Sequence, residues 1–319
     1  MELHSVGTSD IKITPIIMGT WQAGKSMWAG IDDAETTKAI RIAFQAGITT
    51  FDTAEEYGRG HSERIIGKAL FDVRDQVVYA TKVSPNHLKY DQVIVALHRS
   101  LKNLKTDYID LYQIHWPSGA WGSKYVPIEE TMRAMNDLKE QGKIRAIGLS
   151  NFSLSQLEET ATYAHIDSLQ VPYSLFWRHV EKETMPYCVN NSITILAYSP
   201  MAQGILTGKF GPNHLFPKGD HRSHNKLLLP ENSRHVQSAL AKLRTIAQKN
   251  GISLGQLALA WVIAQPNTCA IAGARNSEQV LQNVQGSKFH LSAADLSKID
   301  SIGRSVTDRL DDNPVMWKF

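Results

Sequence analysis

Short apolar runs alternate with amphipathic segments from one end of this chain to the other, and that alternation restricts its fold more than any other feature. Eight runs read as strands: 15–19 (PIIMG), 49–53 (TTFDT), 77–83 (VVYATKV), 108–115 (YIDLYQIH), 144–150 (IRAIGLS), 168–174 (SLQVPYS), 193–200 (ITILAYSP) and 268–274 (TCAIAGA). Amphipathic stretches follow at 32–47, 62–70, 90–104, 127–142, 153–164, 181–191, 253–265 and 277–284. Repeated β/α units of this kind make a parallel sheet. Eight of them predict a (β/α)8 barrel, class α/β, rather than a doubly wound sheet, and no GxGxxG turn follows the first strand.

Local chemistry marks the element ends. Gly47 and Gly142 stand where a helix-terminating glycine belongs, Ser253 where an N-cap belongs, and Pro127 suits the first helical position. Before the first strand, 3–14 (LHSVGTSDIKIT) reads as a hairpin across GTSD, suited to plugging the open bottom of the barrel. Three pieces exceed ordinary connections: 116–125, 201–230 and the tail 303–319. With no repeat, low-complexity tract or linker, residues 1–319 are expected to form a single domain.

Composition excludes several classes. A net charge of +3 with 42% hydrophobic and 20% charged residues suggests neither disorder nor a nucleic-acid surface. The N-terminus lacks a basic start followed by an apolar segment, and no apolar run reaches the roughly 18 residues of a membrane span. A cytoplasmic protein with no membrane partner is expected, with Cys188 and Cys269 as buried, reduced thiols.

In such barrels the chemistry gathers at the C-terminal ends of the strands. Asp52 ends the second strand, Tyr57 follows five residues on, Lys82 ends the third strand and His115 the fourth. A buried lysine needs a partner, and Asp52 on the neighbouring strand is the obvious one. A free tyrosine, with a pKa of about 10, is a poor acid near neutrality, and a nearby ammonium should lower that value. Tyr57 then reads as a proton donor and His115 as a hydrogen-bond donor to a substrate oxygen. The competing reading is a barrel-top ion pair beside two packed rings. Glu55, Glu56 and Arg59 read as solvated loop charges. His214, Asp220, His221 and His224 lack metal-ligand spacing and read as a mobile, solvated loop, so no metal is expected.

The segments FDTAEEYG, YATKV, LYQIHWP, GLSNFS, LQVPYS and AYSPMAQGILTGKF, in that order, resemble the aldo-keto reductase family over nearly the whole chain. The spacing of Asp52, Tyr57, Lys82 and His115 is similar to that family's tetrad, and the seventh-strand segment and 273–280 (GARNSEQV) look closest to bacterial members and the potassium-channel β-subunit branch. The resemblance implies NADPH-dependent reduction of a small-molecule carbonyl to an alcohol. The same site run as an alcohol or sugar dehydrogenase, and a slowly turning-over redox-sensing regulatory subunit, are the alternatives.

It also implies a cofactor, NADP(H) with NAD(H) possible, held without a dinucleotide-binding fold. Ser150, Asn151 and Gln170 match the positions that hold the nicotinamide carboxamide, which needs both a donor and an acceptor. Tyr198 matches the ring that stacks on the nicotinamide. Ser199, Pro200, Met201, Gly204, Leu206 and Lys209 match the loop over the pyrophosphate. Arg275 is placed to clamp a 2′-phosphate, with Asn276 or Ser277 capping the helix beside it. Gly273, Gln279, Gln282 and Asn283 complete that end, and Gly19, Thr20, Trp21 and Asp52 the other. Better-known members carry Lys-Ser where Gly273-Ala274 stand, so the preference for NADP(H) rests mainly on Arg275. For the substrate, Trp21, Tyr57, His115 and Trp116 are expected to form the pocket, with Gln22, Trp28, Trp121, Met316 and Trp317 as further candidates, of which Trp28, Trp121 and Trp317 read equally as packing loops onto the barrel.

Overall fold

The structure, a computed structural model, describes residues 1–26, 28–211, 214–311, 313 and 315. In chain order the elements are β1 (His4–Ser5), β2 (Lys12–Ile13), β3 (Ile16–Gly19), α1 (Asp33–Gln45), β4 (Thr50–Asp52), α2 (His61–Ala69) and β5 (Val78–Val83). Then come α3 (Tyr90–Leu104), β6 (Ile109–Ile114), α4 (Ile128–Glu140), β7 (Ile144–Ser150), α5 (Leu154–Ala161), β8 (Ser168–Pro172) and α6 (Thr184–Asn190). The chain continues through β9 (Thr194–Tyr198), α7 (Pro230–Lys249), α8 (Leu254–Ile263), β10 (Thr268–Gly273), α9 (Ser277–Gly286) and α10 (Ala293–Thr307). Strands β3 to β10 close into an all-parallel barrel, with β10 pairing β3. The expected (β/α)8 architecture is the one observed.

Strand side chains alternate between the barrel interior and the helical layer. Interior positions Ile17, Val78, Leu111, Ala146, Leu196 and Cys269 pack together, and Val6, Ile11 and Ile13 of the N-terminal hairpin close over them from below. The outward positions meet helices whose apolar residues recur every three or four positions; on α3 these are Val93, Ala96, Leu97, Leu101 and Leu104. The two cysteines are free and buried, and burial pushes both thiols up to about 12.

Several expectations about element ends need correction. Pro127 is the N-cap of α4, one position earlier than expected, with ψ of 136° outside the helical region. The tail is not irregular from residue 303, because α10 runs to Thr307. Helix α7 was not anticipated at all, and α10 packs against it. Helix α7 buries Val236, Ala239, Leu240, Leu243, Ile246 and Ala247, and α10 buries Ile299, Gly303 and Val306. Met316 and Trp317 lie outside the described residues.

Candidate active site

The inward alternation that builds the barrel core changes chemistry at its top layer. On β5 the inward column runs Val78, Ala80, Lys82, and on β6 it runs Leu111, Gln113 and then His115 just past the strand. Lys82 is fully buried; its Nζ donates to Asp52 Oδ1 at 2.7 Å and to the Thr53 carbonyl at 2.7 Å, and stands 3.4 Å from Tyr57 Oη. Asp52 Oδ2 accepts from Gln170 Nε2 at 2.9 Å and from Gln113 Nε2 at 3.4 Å. Gly148 makes room for this layer, since a Cβ there would stand 2.8 Å from Gln113 Cγ. The four residues expected to act together are therefore adjacent at the mouth.

Burial lowers the Lys82 pKa from its ordinary value, and the Asp52 carboxylate opposes that shift. Burial, then the negative charge of Asp52, pushes the Tyr57 phenol well above its usual range. This reverses the expected direction: removal of the phenolate from water outweighs attraction from an ammonium whose charge Asp52 already offsets. Tyr57 is thereby kept protonated. His115 is pushed well down, by burial and then by Lys82, so its imidazole is neutral; its Nδ1 is buried without a hydrogen-bond partner among the described residues.

The loop carrying Tyr57 is fixed by backbone contact. Gly58 has φ +63°, and a Cβ on it would stand 2.3 Å from the Gly24 carbonyl oxygen. The Tyr57 ring lies 5.6 Å from His115 and 6.4 Å from Trp21 by centroid, and Trp121 stands 5.3 Å from His115. Glu55 is not a solvated charge. It is buried, accepts from Ser84 N at 2.7 Å, faces His87 Nδ1 at 2.9 Å and pairs with Arg99. Glu56 is half-buried at the cavity wall, and Arg59 is exposed as expected.

A cavity of about 740 Å³ opens from this cluster. One end is walled by Trp21, Tyr57, His115, Trp116 and Trp121, and Trp28 stands between Trp21, 5.2 Å away by ring centroid, and Arg275, 5.4 Å from its ring. Its floor carries Gly19, Thr20, Asp52, Asn151, Gln170 and Tyr198. Along one side run Ser199, Pro200, Met201, Gly204 and Lys209, and at the far end Gly273, Arg275, Gln279, Gln282 and Asn283. Three expected residues do not line it: Lys82 lies behind Asp52 and Tyr57, Ser150 is buried with Oγ accepting from Asn151 Nδ2 at 2.9 Å, and the Leu206 side chain belongs to the core. Asn151, at φ +62°, also donates to the His115 carbonyl at 3.1 Å and accepts from Tyr198 Oη at 2.8 Å.

The loop after β9 holds Ser199, Ala202 and Gln203 in the left-handed region, at φ 53°, 48° and 56°, followed by Gly204 at 95°. Non-glycine residues adopt such angles only where surrounding structure enforces them, and they cluster at ligand clamps. Around this loop and α9, four polar atoms are buried without hydrogen-bond partners among the described residues: Trp28 Nε1, Gln203 Nε2, Arg275 Nη2 and Ser277 Oγ. Asn276, not Ser277, caps α9 by accepting from Gln279 N at 3.0 Å.

Sequence reading missed Arg222 here. It lines the cavity 5.3 Å from the Trp28 ring, and Arg275 stands 5.4 Å from the same ring. Asp220, expected in a solvated loop, is buried and chelates Arg222 with contacts of 2.8 and 2.6 Å. Asp220 is the only acid in the basic stretch 214–226, and that was the available signal. Burial and the neighbouring Arg222 both lower the Arg275 pKa. Two guanidiniums thus stand near a helix N-terminus with one carboxylate, which is paired to Arg222, an arrangement that favours an anion. Among the described residues no group of three His, Cys, Asp or Glu side chains is placed to hold a metal, and no helix is long and apolar enough to cross a membrane.

A closed parallel barrel with this chemistry at its C-terminal mouth is a barrel enzyme. The chain belongs to the aldo/keto reductase family, whose model matches residues 15–304, and it is an oxidoreductase. It is 38% identical over 314 residues to the aldo-keto reductase YhdN of Bacillus subtilis, covering 95% of this chain and 93% of that one. It is 33% identical over 328 residues to an NADH-specific methylglyoxal reductase of Escherichia coli, covering 96% and 99%. An aldo-keto reductase of Klebsiella pneumoniae solved in complex with NADPH superposes with a TM-score of 0.79 at 29% identity, covering 100% of both chains.

Proposed function

We propose that this protein reduces aldehydes or ketones to alcohols using NADPH. The observation that carries the reading is the cavity itself. One end holds a protonated Tyr57 beside a buried Lys82–Asp52 pair, and beyond Trp28 stands an Arg275 guanidinium with a buried nitrogen that has no partner among the described residues.

The residues present fit a nicotinamide dinucleotide. Asn151 Oδ1 and Gln170 Oε1 keep acceptor capacity for a carboxamide N–H, their amide hydrogens being donated within the protein, and Tyr198 flanks the floor where a planar ring would lie. Arg275 and Arg222, with the first turn of α9, supply positive charge for phosphate; Asn283, Gln279 and Gln282 border the same end. Met201, Gly204 and Lys209 bound the span between them. The chemistry that a bound NADPH supplies is hydride donation to the carbonyl carbon.

Tyr57 gives its proton to the carbonyl oxygen as negative charge develops there. Lys82, held cationic by Asp52, stabilises the phenolate left behind, and that stabilisation grows only as the proton departs. Neutral His115 retains one N–H with which to orient the carbonyl oxygen. Trp21 and Trp116 form apolar walls around it and exclude water. Recognition of a 2′-phosphate by two arginines favours NADPH, the cofactor present in the Klebsiella complex, while the NADH-specific Escherichia coli relative makes NADH the comparison to run.

The test is a fluorescence titration with NADPH and NADH, followed by cofactor-consumption assays on a panel of aldehydes and ketones. Tighter binding of NADPH and turnover of at least one carbonyl are expected. Failure to bind either cofactor would sink the reading.

A further inference from the structure

Tyr57 sits on a loop, yet its hydroxyl must be held close to Lys82 for the chemistry above. The backbone contributes the Gly24 to Gly58 contact, and Thr53 ties the start of the loop to α2, its Oγ1 donating to Ser62 Oγ at 2.9 Å. Between these anchors the loop has one buried side-chain tether, and it is ionic. The Glu55 carboxylate faces away from the cavity into the gap between the loop and α3. Its Oε1 accepts from Ser84 N, two residues beyond Lys82 on the same chain segment, and faces His87 Nδ1. Its Oε2 pairs with Arg99 of α3.

The same residue is joined to β5 through its backbone, with Glu55 N donating to the Lys82 carbonyl at 3.4 Å and Gly60 N donating to the Glu55 carbonyl at 2.7 Å. Glu55 therefore connects, within two residues of each side chain, the loop that carries Tyr57 and the strand end that carries Lys82. A carboxylate removed from water is retained only when its oxygens are satisfied, and here a backbone N–H, an imidazole and a guanidinium converge on it.

We infer that Glu55 is a positioning residue that sets the Tyr57 to Lys82 distance by locking the catalytic loop onto Ser84 and Arg99. The inference rests on the reductase reading above. Loss of the tether lets the phenol drift from the ammonium, and misplacement of a reacting group by about 1 Å is enough to slow a step about 100-fold. The contacts of Glu55 with Ser84, His87 and Arg99 involve none of residues 273–283, so that part of the cavity is untouched.

The experiment compares wild type with Glu55→Ala and Arg99→Ala in single-turnover hydride transfer, following NADPH absorbance with a carbonyl that the wild type reduces, alongside NADPH titration. In Glu55→Ala the rate constant should fall at least about tenfold, with the burst amplitude and NADPH affinity kept within about twofold. Arg99→Ala should show the same pattern more weakly. An unchanged rate constant, or a loss confined to amplitude as a merely structural role would give, overturns the inference and leaves the reductase reading intact. If Glu55→Ala does not fold, Glu55→Gln carries the same test. Absence of any wild-type turnover would refute the parent reading and the positioning role with it.

Discussion

Replacement of Asp52 by Asn probes the buried charge on which the site depends. Lys82 has no exposed surface, and its Nζ keeps only neutral oxygens once the carboxylate is gone: the Thr53 carbonyl, the more distant Tyr57 hydroxyl and the amide oxygen that replaces Oδ1. Breaking a buried ion pair from one side leaves an uncompensated charge and costs about 3–5 kcal/mol. At about 2.1 cal/mol/K of unfolding entropy per residue over 319 residues, each kcal/mol moves the midpoint by about 1.5 °C. Asp52→Asn should therefore melt roughly 4–8 °C below wild type at neutral pH. The sign of the pH dependence follows from Lys82, whose folded pKa already lies below its ordinary 10.5 and loses the interactions that raise it. Between that folded value and 10.5 the unfolded chain binds more protons, so stability rises with pH and the deficit narrows as pH approaches 10.5. The double variant Asp52→Asn/Lys82→Met removes the stranded charge and should regain at least about half of the loss. Calorimetry or urea unfolding across pH decides it. A single variant as stable as wild type, or a double variant no better than the single, would refute the reasoning.

Arg275→Ala should raise the NADPH dissociation constant about 10- to 100-fold, the loss of one or two hydrogen bonds to a charged group, while changing that for NADH by less than about threefold. Equal losses for both cofactors in a fluorescence titration would remove Arg275 from phosphate recognition. Because Tyr57 is held protonated and His115 neutral, kcat/KM for carbonyl reduction should stay level between about pH 7 and pH 9 and fall only where the phenol ionises. Initial rates that drop through neutrality would assign the acid to another group.

The tetrad was legible in the sequence because period-two alternation carries an inward core column directly onto the mouth: once Val78 and Ala80 face inward, so does Lys82. The eight strands were legible for the same reason, as continuous apolar runs bounded by turn residues. Helix α7 was not, since it continues a long connection after β9 and adds a second helix before the next strand. The direction in which Glu55 points was also hidden. It is decided by Ser84, His87 and Arg99, residues distant along the chain, and a glutamate in a polar loop has no local mark of such partners. Arg222 was obscured likewise, because its place depends on Asp220 turning inward and on the Trp28 ring from the opposite end of the chain. The Tyr57 shift was misread because proximity to Lys82 can be argued from spacing, whereas the balance between burial and Asp52 needs coordinates.

The central claim, that Tyr57 is the proton donor of an NADPH-dependent carbonyl reduction, is tested most directly by Tyr57→Phe. The substitution removes only the hydroxyl that stands 3.4 Å from Lys82 Nζ and leaves the ring at the cavity wall. NADPH affinity should stay within about twofold of wild type, while kcat for reduction falls by about 10²- to 10⁴-fold, the usual contribution of a general acid. Wild-type turnover by Tyr57→Phe would contradict the claim.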